Sequence, residues 1–242
     1  MMSIDEQDAF WTEQSDLFGH AAPSGPQASY LRFANLFQAY SARVMQGMLR
    51  WRHSREGLVE AFLAALAHAT TAAEFLSANP IPNLKNPWEV FDFPHAGIAS
   101  FLVLGETDQS VLRLVPSESS WSAMSKHQTY FGFETGILLL LNGSSVGPGW
   151  NALIAKCSAD PRLKLTVDTY STYRLLLERP SDASLLSTAE ANFKRRARNG
   201  YYSGGAEIHG GGPDNAHTID LLLEAIKCRI GVSKPLLSNR RQ

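Results

Sequence analysis

Apolar residues recur at three- and four-residue intervals over long stretches of this chain, and that spacing predicts helices. Tyr30, Phe33, Leu36, Phe37, Tyr40, Val44, Met48 and Trp51 follow it over one long window, with small or polar residues between them. Leu58, Phe62, Leu66, Ala69 and Phe75 form the apolar face of a second, alanine-rich helix, for which Ser54 is the candidate N-cap. A short polar turn joins the two, so they should lie antiparallel. Before them, Phe10, Trp11, Leu17 and Phe18 are scattered among acids, and residues 1–28 read as an extended arm or a short helix.

Residues 79–94 break the pattern with Pro80, Pro82, Pro87 and Pro94, which bias the chain away from helix. Trp88, Val90, Phe91 and Phe93 are too apolar to be left in water, so the stretch reads as a packed connector within a single helical domain over 29–242. Between residues 97 and 142 the apolar runs GIASFLVLG, SVLRLVP and FGFETGILLLLNG are short enough to be strands or helices. Pro94 suits a first helical turn, Thr107 and Asp108 suit an N-cap, and Asn142-Gly143 suits a helix stop. The expected fold is therefore all-α, built of stacked antiparallel helix hairpins, with α+β and short strands over 97–142 as the alternative. Further helices are expected over 148–159 and 167–178, and a third, capped by Asp182 or Ser184, running to residue 198. No fixed-period repeat accompanies them.

The C-terminal stretch is the most individual. Gly200, Gly204, Gly205, Gly210, Gly211 and Gly212 crowd into one loop, which reads as a binding surface or a tight connection. Pro213 and Asp214 then offer a start for a last helix, with Ile219, Leu222, Leu223, Ile226 and Ile230 on its apolar face and Gly231 at its end.

Composition changes this picture little. The 242 residues are 44% hydrophobic and 19% charged, with net charge −1, which gives no global attraction to nucleic acid or to an anionic membrane. Cys157 and Cys228 read as reduced core thiols. The acidic N-terminus lacks the basic start and apolar run of a secretory signal, and the uninterrupted apolar runs fall short of the roughly 20 residues that span a bilayer. Cytoplasm is the default expectation, with no membrane role.

Candidate chemistry gathers in the C-terminal third. Lys194, Arg195, Arg196 and Arg198 form a basic run followed by Tyr201 and Tyr202. Such a run can hold RNA, serve as solvated cations at a helix C-terminus, or anchor a protein interface, for which Arg and Tyr are favoured. Glu207, His209, Asp214, His217 and Asp220 offer oxygen and imidazole donors, with His217 and Asp220 one turn apart, yet without a ligand signature such as HExxH. GGGPDN lacks the lysine and hydroxyl residue of a phosphate loop. Asp92 and His95 flank a proline, His53, His68 and His127 stand alone, and no GxSxG elbow is present.

The helix pairs, and above all the ending RRARNGYYSGGAEIHGGGPDN followed by TIDLLLEAIKCRIG, resemble the all-α immunity proteins of bacterial polymorphic-toxin systems. That resemblance implies a non-catalytic protein that binds a cognate toxin domain and blocks its active site or assembly; no cofactor or metal is expected. The residues proposed for partner binding are Arg195, Arg196, Arg198, Tyr201, Tyr202, His209, Asp214 and Asn215. The alternative is a hydrolase or transferase with its site over residues 207–220.

Overall fold

The computed structural model describes residues 3–198 and 220–241. The chain is all-α, and no strand occurs among the described residues. In order, the helices are α1 (Ile4–His20), α2 (Ala28–Arg52), α3 (Leu58–Ala78), α4 (Phe93–Leu104), α5 (Gln109–Leu112), α6 (Thr129–Leu141), α7 (Pro148–Ser158), α8 (Lys164–Glu178), α9 (Ala183–Arg198) and α10 (Leu221–Arg229).

The N-terminal segment is not an extended arm. Ser3 accepts from the Glu6 amide while the Glu6 carboxylate accepts from the Ser3 amide, a capping box that starts a 17-residue helix. α1 lies along α2, and α2 packs over its length on α3. The start of α3 also differs from the sequence reading. Gly57, in the left-handed region at φ +63°, precedes the first turn without a side-chain cap, and its carbonyl accepts from both the Ala61 amide and the Arg50 guanidinium. Ser54 is therefore not the cap. α3 is, by length and composition, apolar enough to cross a bilayer, which the uninterrupted runs had not suggested. Here Phe62, Ala65, Ala69 and Ala72 are buried in the common core.

The connector packs as expected: Trp88, Phe91 and Phe93 are buried, and Phe91 and Phe93 stack with ring centroids 4.6 Å apart. Residues 97–142 resolve to helices, and both long elements are mostly apolar and mostly buried around their circumference, which hides the period that would have named them. α4 starts at the cap Asp92 with Pro94 in its first turn and stops at Gly105, φ +83°. Asp108 caps α5, and α6 ends at Asn142-Gly143. Glycines let these helices close on one another: a Cβ at Gly97 would meet Leu138 Cδ2 at 2.6 Å, and one at Gly136 the Trp150 ring at 2.6 Å.

Around this pair sit α7, α8 and α10. Gly147 and Gly149 at the start of α7 donate to the Glu118 carboxylate at 2.8 and 2.9 Å. Asp182 accepts from the Ser184 amide at the start of α9, as its position implied. α10 packs on α4, α6 and α8 through Leu222, Leu223 and Ile226, joined by Leu221 and Ala225. Its start lies at Leu221, capped by Asp220, while the start expected at Pro213-Asp214 lies outside the described residues. Cys157 is buried and Cys228 half-buried, both as free thiols.

Candidate functional site

α9 is amphipathic by construction: Ala189 and Asn192 face the body, while Ala191, Lys194 and Arg195 face solvent. Lys194 lies beside a groove of about 270 Å³ whose walls are Trp51 from the end of α2, Glu190 and Phe193 from α9, and Leu223, Glu224 and Lys227 from α10. Lys227 bridges Glu190 at 3.1 Å and Glu224 at 3.0 Å, and these carboxylates hold its ammonium charged against the burial that would discharge it. Asp220 also lines the groove. There it accepts both the Leu223 amide, at 3.1 Å, and the Tyr173 hydroxyl.

Of the residues assigned to partner binding, Arg195 is exposed on the last turns of α9, and Arg196 and Arg198 lie on the same helix. Tyr201, Tyr202, His209, Asp214 and Asn215 lie outside the described residues, as do Glu207 and His217. Asp220 is the one described member of the oxygen and imidazole group. Among the described residues no three His, Cys, Asp or Glu side chains come together in a way that could hold a metal ion.

A second polar centre is one that the sequence did not bring together. Asp92 and His95, on the first turn of α4, meet Tyr40 of α2, whose hydroxyl is hydrogen-bonded to His95 Nδ1 at 2.8 Å. Glu134 of α6 is fully buried, receives the Tyr170 hydroxyl at 3.4 Å and acts on Tyr40 through space. One oxygen of Asp92 accepts the His95 amide at 3.1 Å, and the other is buried without a hydrogen-bond partner. Burial pushes the Asp92 carboxyl up to about 7 and His95 down to about 4. The Tyr40 phenol is raised by burial first and then by the acids Asp92 and Glu134. At neutral pH His95 is uncharged and can accept from Tyr40. The signals for this centre were a glutamate inside an otherwise apolar run and an Asp-Phe-Pro-His turn, but neither names its partners, which lie 36 and 55 residues away.

No family model, curated protein or solved structure matches this chain.

Proposed function

We propose that the chain is a non-catalytic binding protein of the bacterial cytoplasm that neutralises a cognate toxin domain by direct contact. The observation that supports this reading is the edge formed by α9 and α10. A basic helix end, with Lys194 and Arg195 in solvent, borders a groove walled by Trp51 and Phe193. Cationic and aromatic side chains flanking a concave surface are the usual anchors of protein interfaces. The basic end of α9 suits acidic groups on a partner, while the groove itself carries Glu190, Glu224 and Asp220. Tyr201, Tyr202, His209, Asp214 and Asn215, which follow α9 in the chain, are proposed as the remainder of the contact surface.

The test begins with capture of the partner on the tagged full-length protein under high-salt washing, identified by mass spectrometry. Charge reversal at Arg195, Arg196 and Arg198 should then weaken the complex at least tenfold by titration calorimetry, because long-range attraction turns to repulsion. Unchanged affinity removes the basic edge from the interface.

One observation favours a second reading, a hydrolase or transferase over residues 207–220: Asp220 lines the same groove. Asp220→Asn keeps an acceptor for the Leu223 amide and presents an NH2 donor to the Tyr173 hydroxyl while removing the charge. Loss of a chemical turnover in that variant, with partner binding intact, would favour the enzyme.

A further inference from the structure

α1 is held to the body by polar groups, one set for each of its turns. Arg50 of α2 clasps Asp8 with two contacts, at 2.7 and 2.8 Å. Gln46 donates to Asp8 at 3.0 Å and to Thr12 at 2.7 Å. Arg43 donates to Ser15 at 3.0 Å and to Asp16 at 2.9 Å. Arg32 donates to the carbonyls of Gly19 and Ala21, at 2.7 and 2.9 Å, at the negative end of the α1 dipole. The α2 residues 32, 43, 46 and 50 thus form one stripe, and positions 8, 12, 15 and 16 of α1 answer them at helical spacing.

The half-buried apolar side chains of α1 are Trp11 and Phe18. Ser15 is the one α1 residue that is fully buried, and no apolar side chain of α1 belongs to the continuous core. Ile4, Phe10 and Leu17 remain exposed. The charge is one-sided: α1 carries Asp5, Glu6, Asp8, Glu13 and Asp16 and neither lysine nor arginine, while the stripe that it covers is cationic. Pro23, Gly25 and Pro26 separate the two helices, so α1 can leave without unwinding α2.

We infer that the arginine stripe of α2 is a docking groove for an acidic amphipathic helix of a partner protein, and that α1 occupies it in cis as a displaceable latch. The recognised pattern is the one that α1 presents: carboxylates eight residues apart with hydroxyls between them, followed by a free helix C-terminus. Arginine suits this task because its fork reads carboxylates in pairs. The inference does not depend on the reading of the α9 edge.

The test uses the full-length chain and a fluorescein-labelled peptide of residues 3–20 as probe. Asp8→Asn with Asp16→Asn loosens the latch. Amide exchange over α1 should then quicken at least tenfold with α3 unchanged, and the peptide should bind one to one, at least tenfold tighter than to the wild-type chain. Adding Arg43→Gln and Arg50→Gln should abolish that binding, and a peptide with both acids replaced by Asn should not bind. Unchanged exchange, equal binding to the wild-type chain, or equal binding of the acid-free peptide overturns the proposal. If the loosened chain forms a dimer that the peptide does not dissociate, the occupant is α1 of a second copy and the partner assignment is overturned. Should the double variant fail to fold, the exchange of Asp8→Arg with Arg50→Asp must restore the α1 protection that Asp8→Arg alone removes. Failure to restore it equally overturns the latch.

Discussion

Asp92 sits fully enclosed with one oxygen unpaired, and it is the side chain on which the pH response of the core turns. Its carboxyl is raised to about 7 from 3.8, so between those values the folded chain holds a proton that the unfolded chain has lost. Stability from this group is full below pH 3.8 and is lost as pH climbs towards 7, at about 1.4 kcal/mol per pH unit where the two states differ by a whole proton. His95 runs the other way. Lowered by burial to about 4 from 6.5, it contributes stability that is present above pH 6.5 and is lost as pH falls towards 4. Between about pH 4 and 6.5 the two slopes oppose each other. Asp92→Asn keeps an acceptor for the His95 amide and removes one of the slopes. Denaturant unfolding at successive pH values should show a gain over the wild-type chain that grows from pH 4 to 7 and levels off above. A gain independent of pH would show that Asp92 does not titrate in this window.

Single elements here are set by partners far along the chain as much as by their own ends. α7 begins at Gly147 without a side-chain cap of its own, and its free amides at Gly147 and Gly149 are taken by Glu118, 29 and 31 residues earlier. A carboxylate at a helix N-terminus satisfies orphan donors and meets the positive end of the dipole. Glu118→Ala should cost about 1–2 kcal/mol in urea unfolding, and Glu118→Gln, which retains one acceptor, should cost less. The same distance explains which starts were legible. Asp108 and Asp182 cap helices two residues ahead of the amides that they receive, a relation that local sequence contains. The start of α3 was misread at Ser54, because the turn into α3 is set by Gly57 in the left-handed region and no side chain caps the first amides. α1 was left open between an extended arm and a short helix because its partners are polar and lie on α2 and α3, so no apolar period marks it.

At the scale of the whole molecule, cohesion is uneven. α4 and α6 are largely buried in the core, whereas α1 is fastened by partly exposed charges, with Arg43 and Asp16 showing 18% and 58% of their side chains. Local opening follows such differences. Raising salt from 0.1 to 1 M shortens the screening length from about 10 Å to about 3 Å. Amide exchange by mass spectrometry should therefore quicken severalfold in α1 and stay unchanged in α4 and α6; a uniform response would mean that charge does not fasten α1. The all-helical class was legible because repeated caps and stops, such as Asn142-Gly143, survive even where periodicity fails. The site was legible only in part. The basic run on α9 announces itself by composition, but Tyr40, His95, Asp92 and Glu134 meet through tertiary packing that no spacing records.

The two thiols give this unevenness a clock. Burial raises both above the usual cysteine range, so each reacts slowly while enclosed. Cys228 is half-covered beside Ser233, near the C-terminal edge, while Cys157 is sealed where α7 meets the core. A thiol reagent therefore meets two doors of different depth in one polypeptide. The interval between the first and the second modification times how long the interior stays shut after the edge has begun to breathe.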